Sequence, residues 1–143
     1  MSVEPQLPIK ISPTPQSVSV ILVEEHQKVR AALTQSFMNQ PAIRLVHAMP
    51  YLPSRPEEFL ERKPNVILVG YPQQAVTTLP TLIEHIKIWT AADIASVILA
   101  PYLDPDIEDV LFKSGVFAHL HKTIDIQKLG SVISMASSYF DKP

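Results

Sequence analysis

The chain has 143 residues, 12 basic against 14 acidic side chains, a formal charge of −2, fourteen prolines, three glycines and no cysteine. That length suits one domain with a substantial core, and the lack of cysteine excludes disulfides and thiolate metal sites, which fits a cytoplasmic protein. We read no secretory leader in MSVEPQLPIKISPTPQ and no apolar run of the ~18–20 residues that span a bilayer, and the longest basic cluster, Arg62-Lys63, gives no electrostatic footprint for nucleic acid.

Residues 1–16 contain Pro5, Pro8, Pro13 and Pro15 and read as an extended, flexible tail. A proline-rich ligand for a partner is an alternative, but no PxxP flanked by basic residues occurs. Residues 17–141 form the expected domain. Val18–Val23 is a β-branched run and predicts a strand. His26–Asn39 follows with Val29, Leu33 and Phe37 at helical spacing. Ile43–His47 is a second strand. Pro56–Arg62 is a short helix, with proline suited to its first position and two glutamates in its first turn. Asn65–Val69 is a third strand, and Gln73–Thr78 reads as a loop or a separate turn. Thr81–Trp89 is a helix carrying Leu82, Ile83, Ile86 and Trp89, with Pro80 allowed in its first turn. Ser96–Leu99 is a fourth strand. Asp104–Lys113 is a helix with Gly115 as its C-cap. Val116–Leu120 is a fifth strand, and Asp125–Phe140 a last helix with Asp125 as N-cap.

Five strands alternating with five helices imply a parallel sheet covered on both faces. Near-continuous apolar strands such as VILV agree, because alternation is lost when both faces are buried. In such sheets the functional residues collect at the carboxyl ends of the strands. Those ends are Glu24-Glu25, Met49, Gly70, Ala100-Pro101 and His121-Lys122.

These positions carry a resemblance. ILVEEHQKVRAAL, KPNVILVGYP and SGVFAHLHKT, in that order and spacing, resemble the three conserved blocks of response-regulator receiver (CheY-like) domains. The subtype most similar is the one that precedes a helix-turn-helix in transcription factors. The resemblance covers residues 18–140 and implies a flavodoxin-like doubly wound sheet of strand order 2-1-3-4-5 with five helices. In active members, an acidic pair after the first strand and an aspartate ending the third hold Mg²⁺. That aspartate takes the phosphoryl group. A Thr or Ser after the fourth strand and a Lys after the fifth stabilise it.

Transferred residue by residue, the acidic pair is Glu24-Glu25, each arm about 1.5 Å longer than aspartate. The acceptor position is Gly70, which has no side chain to phosphorylate. The hydroxyl position is Ala100. The switch aromatic is His119, and the proline usually four residues beyond the acceptor is Gln74. Only Lys122 matches. Thr123 follows it where many members have a cis-proline. The first aspartate of the chain is Asp93, so no shift of alignment supplies an acceptor.

The resemblance therefore implies a degenerate pseudoreceiver: a signal-transduction module acting by phosphorylation-independent docking or dimerisation, with no catalysis and no cofactor. The implied partner is a protein or a second copy, with no membrane and no direct nucleic-acid contact from this chain. Family analogy points to the fourth helix, fifth strand and fifth helix, where Phe112, Val116, Ile124, Ser131 and Tyr139 are the candidates, or to a dimer of the first and fifth helices. Lys122 is expected to pair with Glu24 or Glu25. The alternative function is a small-ligand or anion sensor using the pocket emptied at Gly70 and Ala100, with Tyr71 and Tyr102 as side chains that could fill it.

Other chemistry is poorly served. Glu24 and Glu25 are adjacent and point to different sides, which suits no acid–base pair. His119 and His121, with a nearby glutamate, are a conceivable Zn²⁺ set, though satisfied histidines are far commoner; no metal site is assigned. DPDIEDV lacks the glycine and distal glutamate of a calcium loop, and its acids suit a helix N-terminus.

Overall fold

The computed structural model describes residues 17–72 and 77–140; the proline-rich tail, Gln74 and the end of the chain lie outside them. The described chain forms five parallel strands, β1 (Val18–Val23), β2 (Ile43–Met49), β3 (Val66–Gly70), β4 (Ala95–Leu99) and β5 (Ala118–Leu120). Their order is β2-β1-β3-β4-β5, the doubly wound order expected.

Five helical segments connect and follow the strands: α1 (Gln27–Met38), the Pro56–Arg62 segment, α2 (Leu79–Ala91), α3 (Pro105–Ser114) and α4 (Ile126–Ser137). Pro56–Arg62 has the expected bounds but winds as a 3₁₀ helix, closed by Lys63 in a left-handed conformation at φ 50°. A segment of only 7 residues with a fixed proline φ gains little from α geometry, so the tighter winding is an accessible end state. Thr78 caps α2 by accepting from the Thr81 N–H, which starts that helix two residues before its expected first residue and leaves Pro80 within the first turn. Asp104 caps α3 through the Asp106 N–H at 2.9 Å, and Gly115 ends that helix at φ 124°, a conformation few side chains tolerate. Asp125 stands at the N-cap of α4 but makes no side-chain cap bond. β2 runs two residues longer and β5 two residues shorter than their sequence patterns suggested.

The apolar strands explain the two-layered core. Along β3, Val66 and Leu68 pack with Phe37, Leu129 and Ile133, under α1 and α4. Ile67 and Val69 pack on the opposite face with Phe59, Leu82, Ile86 and Trp89. Every residue of β3 and β4 is thus buried, with no polar face to reveal a period of two. Trp89 stacks on Phe59 at 5.8 Å. His85 beside it is 3% exposed, with Nδ1 2.9 Å from the Thr81 carbonyl and Nε2 3.0 Å from the Pro53 carbonyl, which sets α2 against the loop after β2.

Candidate functional site

The carboxyl ends of β1, β3, β4 and β5 bring Glu24, Gly70, Ala100 and Lys122 to one rim of the sheet. Glu24 continues the β1 ladder, its N–H donating to the Met49 carbonyl at 2.9 Å. The Arg30 guanidinium donates to the Glu24 carbonyl at 2.7 Å and fastens α1 to this strand end. The Glu24 side chain is 1% exposed. Its Oε2 accepts from the His26 N–H at 2.9 Å and from Lys122 Nζ at 3.3 Å. Lys122 Nζ is also 3.3 Å from Oε1, which keeps the charge attraction but receives no hydrogen bond.

Gly70 explains the position of that carboxylate. A Cβ placed on Gly70 would lie 2.8 Å from Glu24 Cδ and collide with Oε1. The glutamate arm therefore occupies the space that any side chain at position 70 would need.

The expected pairing of Lys122 is thus with Glu24; Glu25 is partly exposed beside it. Ala100 is fully buried, its N–H donating to the Leu120 carbonyl at 3.0 Å, and it offers no hydroxyl to the site. The tyrosines do not fill the space. Tyr102 is 73% exposed and points away, whereas Tyr71 joins the edge of the core and burial raises its phenol above the usual range. Mg²⁺ suits these residues poorly. Its octahedral shell needs several oxygens free to converge at ~2.0–2.1 Å, yet Glu24 is committed to an ammonium and an amide, and Gly70 supplies no oxygen from a side chain.

The two histidines of the fifth strand region do not converge either. His119 directs Nδ1 to Glu108 of α3 at 2.8 Å, and its Nε2 is buried without a hydrogen bond. His121 lies past the strand end, exposed, with Nδ1 accepting from the Thr123 N–H at 3.2 Å. No group of three or more His, Asp or Glu side chains is placed to hold a metal among the described residues. Of the surface candidates, Phe112 and Tyr139 are 43% and 51% exposed and Ser131 is exposed, while Ile124 is only partly so. Val116 is 6% exposed and belongs to the core, so it offers packing rather than surface; β5 begins two residues after it.

Sequence reasoning missed the Glu108–His119 pair and the His85 contacts, since neither has a spacing that marks it. The filling of position 70 by Glu24 had one available signal, a glutamate and a glycine at adjacent strand ends.

No protein-family model matches the chain, and no curated protein matches it in sequence. Solved structures do match in fold. The signal receiver domain of NarL from Mycobacterium tuberculosis superposes with a TM-score of 0.74 at 12% identity, covering 87% of this chain and 99% of that one. A LuxR-family two-component response regulator from Aurantimonas sp. SI85-9A1 gives 0.72 at 16% identity, over 86% of each chain. A LuxR-family DNA-binding response regulator from Staphylococcus aureus gives 0.67 at 18% identity, over 84% and 98%. At these identities the likeness is one of fold: the chain has the receiver, or CheY-like, fold.

Proposed function

We propose that this chain is a regulatory module of the receiver type that works in signal transduction without phosphoryl transfer, by docking to a protein partner or to a second copy of itself. One observation carries the reading: the Glu24 carboxylate lies over Gly70 and is paired with Lys122. Phosphoryl transfer needs an in-line nucleophile and positive charge on the equatorial oxygens. Here the acceptor position has no nucleophile, its space is taken, and Lys122 is already paired with Glu24. A domain whose switch is held in one state can still present a surface. Phe112 on α3 and Tyr139 just after α4 flank the edge strand β5 in sequence and are exposed aromatic groups of the kind that anchor interfaces.

In this reading the chain has no catalytic residue and no cofactor, and it contacts neither nucleic acid nor membrane; no helix among the described residues is long and apolar enough to cross a bilayer. The words response regulator and DNA-binding belong to the solved structures that share the fold. The alternative, a ligand or anion sensor in an emptied pocket, has weaker support because Glu24 fills the space over Gly70 and Ala100 is sealed. The test is light scattering over a concentration series, with pull-down from the source cell, with and without Mg²⁺ and acetyl phosphate. We expect association that the phosphodonor leaves unchanged and that F112D or Y139D weakens. A strict monomer that captures no partner, or association that appears only with the phosphodonor, would remove the reading.

A further inference from the structure

The register shift in β2 decides where one side chain points. Val20 pairs with Leu45 but Ile21 pairs with His47, so Val46 is an extra residue in this edge strand. Paired residues on adjacent strands share a face, and Ile21 belongs to the core layer that contains Phe59. The bulge therefore turns His47 towards the Pro56–Arg62 segment; in an unbroken register Ile21 would meet Val46, and His47 would face the α1 layer. Bulges between parallel strands are rare, and bulges commonly re-aim a side chain in this way. His47 comes to line a cleft of about 610 Å³ with Met49, Arg55, Glu58, Glu61 and Arg62. That volume suits a small molecule.

We propose that this cleft binds a phosphoryl-type oxyanion, with Arg62 and His47 as the two donors that hold it. The charged groups facing His47 across the cleft are Arg55, Glu58, Glu61 and Arg62. On its own strand Arg44 lies on the same face and donates to the Ser19 hydroxyl at 2.8 Å, while β1 offers that face Ile21 and Val23. Arg55 and Glu58 stand 4.0 Å apart and offset one another. Arg62 is exposed and makes no ion pair among the described residues. Burial first, and the charge of Arg62 second, lower the proton affinity of His47, so the field that reaches the imidazole is that of a cation the two glutamates do not cancel.

An anion between the two groups turns this repulsion into attraction. A planar guanidinium donates two parallel hydrogen bonds, which use both oxygens of a carboxylate; a tetrahedral oxyanion keeps further oxygens for the imidazole. Because Arg62 is exposed and screened, the expected affinity is only on the order of millimolar. The coupling to pH has a definite sign. A bound anion favours the charged imidazole, so protonating His47 must strengthen anion binding by the same factor. Affinity therefore rises as pH falls, about tenfold for each pH unit by which the anion moves the His47 titration. No residue of the Glu24–Lys122 pair takes part, so the inference stands or falls apart from the function proposed above.

The test is a sulfate titration of the full chain at constant ionic strength, followed in the His47 ring and Arg62 Nε–H signals. Sulfate keeps its charge between about pH 8 and about pH 5, so any pH dependence belongs to the protein. The expected result is saturable shifts at both groups, a His47 titration moved to higher pH, and an affinity about tenfold greater at the acid end. Arg62→Gln, at an exposed position, should abolish the shifts, and His47→Gln should leave weaker binding without the pH dependence. Lys128→Gln removes the same charge from α4, across the sheet, and should change nothing. Inorganic phosphate should bind as sulfate does, and acetate more weakly. Glycerol phosphate binding more tightly than inorganic phosphate would identify the ligand as a small ester, and equal binding as free phosphate. Shifts that fail to saturate, that survive Arg62→Gln, that Lys128→Gln weakens equally or that acetate reproduces in full would each overturn the proposal. So would a sulfate affinity that is the same at both ends of the pH range.

Discussion

Restoring a carboxylate at the acceptor position should harm this protein. In Gly70→Asp the new Cβ sits 2.8 Å from Glu24 Cδ, and the new carboxylate must share a space where Glu24 is already 1% exposed. Lys122 can neutralise one of the two charges, and a second buried, uncompensated charge costs about 3–5 kcal/mol. For a domain of this size that corresponds to a drop in melting temperature of roughly 10 °C, taking about 2–4 °C per kcal/mol. The assay is a thermal and urea unfolding cycle over wild type, Gly70→Asp, Glu24→Ala and the double variant. In the double variant the glutamate arm is gone, the new carboxylate has room, and Lys122 has a partner again. We therefore expect a favourable coupling of at least about 2 kcal/mol, well beyond the ~0.5 kcal/mol within which independent sites add. Additive single effects, or a Gly70→Asp protein as stable as wild type, would refute the claim that Glu24 occupies this space.

Other consequences can be checked on the same protein. Lys122→Met should lose about 3 kcal/mol by urea unfolding, because it strands a buried carboxylate, and adding Glu24→Gln should recover part of that loss. The proton affinity of His47 is lowered in the fold, first by burial and second by the nearby Arg62. The unfolded chain then binds the proton more readily, so stability is full above pH ~6.5 and falls as pH drops below it, towards the folded value; a urea series at several pH values should show His47→Gln flattening this slope. Tyr71 shifts the other way: burial raises its phenol, the unfolded chain loses the proton first, and stability should fall as pH rises past ~10, an effect Tyr71→Phe removes. Gly115→Ala should cost more than about 1 kcal/mol, since the position is at φ 124° and a Cβ would lie 2.9 Å from the Thr90 Cβ; adding Thr90→Ala relieves the crowding but leaves the backbone strain.

The sheet was readable from sequence because its strands are short β-branched runs between proline- and glycine-marked turns, and because β3 and β4 are buried on both faces, with Ser96 the one polar side chain between them. Strand ends were less so. β2 continues to Met49 because β1 pairs with it to Val23, across a register shift between Val20 and Ile21 that no local pattern announces. Pro56–Arg62 was correctly bounded, yet nothing in PEEFLER distinguishes a 3₁₀ from an α winding. At the site, it was legible that Gly70 and Ala100 bring no polar side-chain group to the strand ends. Where the remaining groups go was not, since that depends on distances across the sheet: Glu24 turns inward over Gly70, Tyr102 turns outward, and His119 finds Glu108 on the neighbouring helix. Val116 illustrates the limit of position by analogy, because a residue just past a helix end can lie beneath the surface it was expected to form.

The central claim is that the phosphoryl site is filled and paired, and the most direct test is the amide spectrum of the full chain titrated with Mg²⁺ and beryllofluoride, a phosphoryl mimic that requires an acceptor carboxylate. The account predicts no saturable shifts at Gly70, Tyr71, Ala100 or Lys122. Saturable shifts clustered on those four residues would contradict it, because Glu24 would then have to yield its place and its lysine to an incoming anion.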